Sequence, residues 1–144
     1  MSPGVSGNDA GAPVDLVCRV GVVAEVRAAF ERYEAALVAG DAATMGELFW
    51  GGEEIVRFGI ADAQHGASEL AAYRVAQPPP RPGRTLSGTV VATYGDDVAV
   101  VSTSFSYPGR DLLGRQQQTW VRIEGRWRIV AAHVSEIPRP AVGS

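Results

Sequence analysis

At 144 residues, with 46% apolar and 20% charged, the chain has the length and composition of a single soluble domain with a real core. A formal net charge of −3 gives no electrostatic reason to expect nucleic acid. All 13 basic residues are arginines, so Schiff-base chemistry through a lysine amine is excluded, and the cations present are planar forks suited to carboxylates.

One cysteine, Cys18, cannot form an internal disulfide, and two histidines, His65 and His133, are too few for the usual zinc cages, so neither a metal nor another cofactor is expected. There is no basic segment followed by a long apolar run at the N-terminus, and no run approaches about 18 apolar residues. The expectation is a cytoplasmic protein without a membrane segment.

Residues 1–12 are rich in Gly, Ser, Asn and Pro and read as a disordered tail, 13–138 as one domain, and 139–144 as a C-terminal tail. From Pro13 to Ala39, Leu16, Val20, Val23, Phe30, Tyr33 and Leu37 recur at helical spacing, predicting a long amphipathic helix. Gly40 suits its C-terminal stop, and Asp41 the N-cap of a shorter helix that ends by Gly51-Gly52. Glu54 to Phe58 reads as a strand directing Ile55 and Arg57 to one side, followed by a polar turn from Asp62 to Gly66 and a third helix, Ala67 to Ala76. The proline-rich run from Pro78 to Gly83 is a stiff connector or a ligand for another protein.

Four strands follow, Arg84 to Tyr94, Asp97 to Tyr107, Gly114 to Ile123 and Arg126 to Ile137, forming an antiparallel meander. A two-residue loop at Gly95-Asp96 pairs Ala92 with Ala99, Val90 with Val101 and Leu86 with Phe105 on the core face. A two-residue loop at Glu124-Gly125 pairs Arg122 with Trp127, Trp120 with Ile129, Gln118 with Ala131 and Gln116 with His133. That second face mixes aromatics, amides and an imidazole, as a pocket wall does. The predicted fold is α+β, a curved antiparallel sheet wrapped around the long helix as a half-cone with a pocket at its wide end.

Five motifs carry a family likeness: Val56-Arg57-Phe58-Gly59; Gly66 opening the third helix; Tyr73-Arg74 within it; Gly114 to Arg122; and Trp127 to Ser135. With these the chain resembles the nuclear transport factor 2-like superfamily, which includes SnoaL-like cyclases and ketosteroid isomerases. Within it the chain resembles the AtzH-like family, which includes the oxalurate-catabolism protein HpxZ. In that family a tyrosine usually stands where this chain has His65, and a second arginine where it has Gln77. The resemblance implies a setting beside amidases that degrade ureides and carboxylated ureas.

His133 on the concave face is a candidate general acid or base, with Gln116 across the strand to orient it; the alternative is a core histidine held by an amide. Arg57 is the candidate anchor for a ligand carboxylate, or else a structural ion pair with Asp62 or Glu69. Gln116 and Gln118 can each offer a donor and an acceptor to a ureide, or bond each other and the backbone. Trp120 is a wall or core aromatic, and Tyr73, Arg74 and Tyr107, joined by Arg84, close the mouth. No carboxylate falls on the predicted concave strand faces, since the alternation points Glu136 outward.

Two functions are consistent with these residues: an accessory binding protein for a carboxylated amide or ureide that works with an amidase, and a lyase, hydrolase or isomerase using His133 with Arg57. An assembly module with a vestigial pocket is a third. The apolar outer positions Val98, Val100, Val121 and Val130 suggest a homodimer through the sheet.

Overall fold

The apolar positions of the first helix, Val22, Val26, Phe30 and Tyr33, recur every three to four residues, and all are buried in α1, Val20–Ala39. The computed structural model describes residues 16–140, so the expected tail over 1–12 and residues 13–15 lie outside the described residues. Leu16 and Val20, placed on the same stripe by periodicity, are exposed instead, Leu16 lying before the helix and Val20 at its first residue. Gly40 ends α1 at φ 69°, and the Asp41 carboxylate accepts from the Thr44 N–H at 3.0 Å to cap α2, Ala42–Leu48. α3 spans Ala67–Ala76, as predicted.

The sheet has six strands in the order β2-β1-β6-β5-β4-β3: β1 Val56–Phe58, β2 Ala63–His65, β3 Thr85–Tyr94, β4 Val98–Ser106, β5 Leu112–Ile123 and β6 Arg126–Pro138. The fold is α+β with an open sheet. Two expectations change. The segment read as a polar turn contains β2, which pairs antiparallel with β1, and β1 pairs in parallel with β6, so the sheet is mixed. The opposite edge, β3, is partly covered by the chain before α1, where Cys18 N–H donates to the Thr93 carbonyl at 2.9 Å and Gly95 N–H to that of Leu16 at 2.8 Å. At the other end, the expected C-terminal tail is tied at its start, since Arg139 N–H donates to the Asp111 carbonyl at 3.1 Å.

Two bulges set which side chains face α1. Along β5 and β6 the predicted pairs Arg122 with Trp127 and Trp120 with Ile129 hold, but Thr119 then pairs with Ala131, leaving Val130 as an extra residue. Beyond it Gln118 lies opposite Ala132 and Gln116 opposite Val134, while His133 pairs with Gln117. Because side chains alternate, that one residue turns His133 to the outer face, where it is exposed, and brings Ala132, Val134 and Glu136 inward. Along β3 and β4, the turn takes three residues rather than two, so Val91 pairs with Val101 and Thr93 with Ala99. Gly88 and Thr89 then oppose Thr103 alone, with Gly88 at φ 62°, and this second bulge restores the predicted Leu86 to Phe105 pair. Val91 and Thr93 are therefore buried, and Val90 is 58% exposed.

The core lies between α1 and the inner sheet face, with Val26, Val101, Trp120 and Ile129 almost wholly removed from water. At its open end the Phe105 ring lies over Gly114, its cross-strand partner, where an added Cβ would sit 2.1 Å from the ring. Glycine here makes room for an aromatic ring on the sheet surface. Gly114→Ala is expected to displace Phe105 and cost about 1–3 kcal/mol, read as a lower urea midpoint at unchanged m; an unchanged midpoint would show that the ring has somewhere else to go.

Candidate functional site

The second half of α1 places Tyr33, Glu34 and Leu37 over the end of the sheet that the proline connector also approaches. Between them lies a cavity of about 420 Å³, within the range of small-molecule sites. Five arginines line it: Arg57, Arg74, Arg81, Arg84 and Arg110. What each arginine finds as a partner decides what the cavity can hold.

Arg84 and Glu34 form the buried pair, with Arg84 Nε 2.8 Å from Glu34 Oε1 and Nη2 3.3 Å from Oε2. Gln116 bridges them, donating from Nε2 to Glu34 Oε2 at 3.0 Å and accepting from Arg84 Nη2 at 3.2 Å. Arg84 Nη1 donates to the Tyr107 hydroxyl at 3.1 Å, and its guanidinium lies 4.2 Å from the centroid of the Phe105 ring. Burial acts to lower the Arg84 pKa, but the hydrogen bonds and charge of Glu34 outweigh it and the net direction is upward. Because the guanidinium stays charged at any working pH, the stabilisation that goes with its raised pKa is present throughout the working range and is lost only in strong alkali.

Arg57, on β1, donates from Nη1 to Asp62 Oδ1 at 2.8 Å and to Gln64 Oε1 at 3.0 Å. Its guanidinium also stacks over Tyr73 at 5.0 Å, and the Tyr73 hydroxyl approaches Asp62 Oδ2 at 3.5 Å. Gly59 is required here: a Cβ at that position would lie 2.3 Å from Asp62 Oδ1 and 2.7 Å from Arg57 Nη1. The anion sought by Arg57 is thus supplied by the protein, which is the structural ion pair held open by the sequence. Burial raises the Asp62 pKa, while hydrogen bonding from Gln64 and the charge and hydrogen bond of Arg57 lower it further, leaving it below its ordinary value of 3.8.

Arg74 differs from these. It is 8% exposed, and its only described polar bond is from Nη2 to the Tyr33 hydroxyl at 2.8 Å. Its Nε is buried with no hydrogen-bond partner, and it has no carboxylate partner among the described residues. Three rings surround it, Phe49 at 5.3 Å, Tyr33 at 5.7 Å and Tyr73 at 6.0 Å. Each such contact contributes about 0.5–2 kcal/mol, less than the several kcal/mol it costs to bury an ion. Because the Tyr33 oxygen accepts from Arg74, the phenolic proton remains available to a ligand.

Of the residues singled out from sequence, Arg57, Arg74, Tyr107 and Gln116 line the cavity, and Tyr73 supports it through Arg57. Gln118 and Trp120 do not: Trp120 Nε1 donates to Gln118 Oε1 at 3.1 Å, and both are buried in the core. His133 is on the outer face, edge-on to Phe58 at 5.8 Å, which removes the geometric basis for its pairing with Gln116. The expected absence of carboxylates from the concave strand faces is corrected at Glu136, and the helix α1 adds a second carboxylate. Glu136 lines the cavity 3.6 Å from Arg110, and Glu34 reaches in from α1. Glu34 had a signal in the sequence, since Phe30, Tyr33, Glu34 and Leu37 have the i, i+3, i+4, i+7 spacing of one helix face. No cluster of three or more His, Cys, Asp or Glu suited to a metal occurs among the described residues.

Glu34→Ala should leave the Arg84 charge buried and unpaired, at a cost of about 3–5 kcal/mol. The double variant Glu34→Leu with Arg84→Met should recover most of that loss in chemical denaturation; equal losses in both would mean that the pair itself is not the source. A second expectation concerns acid. The contribution of the Asp62 pair is complete above its ordinary pKa of 3.8 and is lost as pH falls through the lower folded value. Asp62→Asn should therefore flatten this part of the acid limb of a stability-versus-pH curve, and an unaltered limb would contradict the assignment.

The sequence matches the AtzH-like family over residues 15–140. No match is found among curated proteins. Among solved structures, a cystatin-like fold protein from Burkholderia xenovorans LB400 is 48% identical, with TM-score 0.84 over 86% of this chain and 98% of that one. A protein of unknown function from Pectobacterium atrosepticum SCRI1043 is also 48% identical, with TM-score 0.83 over 85% and 96%. An NTF2-like protein of unknown function from Pseudomonas putida KT2440 shares the fold at 19% identity, with TM-score 0.67 over 81% and 87%. The match along nearly the whole described chain, and the two structures similar at 48% identity, lead to one conclusion: the chain belongs to the AtzH-like family.

Proposed function

We propose that the arginine-lined cavity binds a small carboxylated amide or ureide, and that the protein acts as an accessory to amidase-type nitrogen catabolism. The observation that carries this reading is Arg74, a buried cation at the cavity wall without a protein carboxylate. A ligand carboxylate supplies the missing charge, and a charge-assisted bond of this kind contributes about 1.5–3 kcal/mol. The Tyr33 hydroxyl and the Gln116 amide line the same cavity, and the hydrogen-bonding capacity they keep beyond Arg74, Glu34 and Arg84 suits the polar groups of an amide or urea body. Arg57 and Arg84, already paired, add to the field rather than bind the anion outright.

Oxalurate and allophanate are expected to raise the melting temperature, whereas the neutral oxalurate ethyl ester is not. Arg74→Met should remove the response, Tyr33→Phe should weaken it, and His133→Ala should leave it unchanged. Equal stabilisation by acid and ester would overturn the carboxylate assignment. A hydrolytic reading is favoured by one feature, the Tyr33 phenolic proton directed by its bond from Arg74. Turnover of either ureide by purified protein, lost in Tyr33→Phe with binding retained, would replace the accessory role by an enzymatic one. Failure of both acids to bind, together with co-purification with an amidase, would support an assembly role. The homodimer is proposed through the outer sheet face, where Val90 and Val98 are 58% and 39% exposed.

A further inference from the structure

Arg74 lines a second concavity as well, on the helical side of the molecule. α2 and α3 approach each other there with small residues, Ala43 and Gly46 on one and Ala71 on the other, leaving a groove of about 390 Å³ between them. Trp50 also lines it, as does Val75, which is 78% exposed. The lining is otherwise apolar, and Arg74 is its one charged side chain. An apolar groove of this size with a single buried cation that has no protein carboxylate has a definite ligand chemistry: an apolar body to cover the small residues, and one anionic group to meet the guanidinium.

We propose that the groove between α2 and α3 binds a small apolar monocarboxylate, aromatic or branched, whose carboxylate reaches Arg74 from the helix side. The same guanidinium serves the arginine-lined cavity, so this proposal shares Arg74 with the function proposed above but does not require a ureide to be the cavity's ligand. One guanidinium neutralises one carboxylate. A second anion would have to share that one guanidinium, so the two sites compete for Arg74 and each weakens the other. The groove is then a regulatory site, in which an apolar acid releases the anion held in the cavity.

Gly46 makes this testable in a variant expected to fold. A Cβ there meets nothing within 4 Å, so Gly46→Leu starts from an uncrowded position at the groove wall and replaces a glycine within a helix. The probes are benzoate, its neutral isostere benzamide, and acetate, which has the charge without the body. Benzoate should stabilise the wild-type chain and weaken oxalurate binding in calorimetry by about tenfold or more at saturation. Benzamide and acetate at the same concentration should do neither. Gly46→Leu, and independently Ala71→Leu, should lose the benzoate response while keeping that to oxalurate. If oxalurate fails to bind, benzoate stabilisation lost in both filled variants still supports the groove and only the cavity assignment falls. The groove proposal is overturned if benzoate gives no response, if benzamide matches it, if both filled variants retain it, or if benzoate and oxalurate bind independently.

Discussion

The pair between Glu34 and Arg84 is the constraint on which the open end of this fold depends. It connects the middle of α1 to the first residues of the long meander, and through Gln116 and Tyr107 it draws in β5 and the end of β4. An ion pair in such a place is weak evidence of net stability, since desolvation offsets most of its attraction. Its use is geometric. Each donor and acceptor in the ring has one partner set, so α1 cannot rotate or slide without leaving a buried charge alone. That fixes the roof of the cavity relative to its floor and places Tyr33, next to Glu34 in the chain, at the cavity wall.

Glycine makes the remaining close approaches possible. Phe105 can lie flat beneath Arg84 because Gly114 offers no side chain across the strand, and Asp62 can turn back to Arg57 because Gly59 offers none at the end of β1. The Arg-Phe-Gly and Gly-Arg-Gln segments that carry the family likeness therefore have physical causes. In each, a glycine yields the volume that an aromatic ring or an ion pair occupies.

Most of the fold could be read from periodicity. The C-terminal stop at Gly40, the Asp41 cap, the limits of α3 and the inner faces of β4 and β5 follow from local chemistry that tertiary structure did not override. The misreadings of strand direction have one source. A period of two carries direction only while the register is unbroken, and a single extra residue inverts every side chain beyond it. Val130 did this to His133 and Glu136, and the three-residue turn before Val98 did it to Val90 and Val91, until Gly88 and Thr89 reversed it. Gly88 was a visible hint, since glycine within a strand often marks a bulge. Val130 gave none, being a strong strand former in an apolar run. β2 was missed because three residues are too few to show alternation. Glu34 is obscured for another reason: a charge among apolar residues reads as the polar side of an amphipathic helix, although its spacing from Phe30 and Tyr33 sets it on the buried face.

The distribution of charge then separates the arginines by kind. Arg57, Arg84 and Arg110 each lie against a carboxylate brought by a different element, so their positions are consequences of folding and would persist in a protein with nothing to bind. Arg74 has no such account. It sits on a short helix, enclosed by three aromatic rings, with one bond to a neutral hydroxyl. Aromatic faces soften the penalty of burying a guanidinium but do not cancel it. A guanidinium that the protein leaves unneutralised, at the junction of a polar cavity and an apolar groove, is the position in this fold that would gain most from an anion arriving from outside. On the function proposed above, ligand binding and folding are linked through this one side chain, and the identity of the anion is the chemical question on which the protein's role turns.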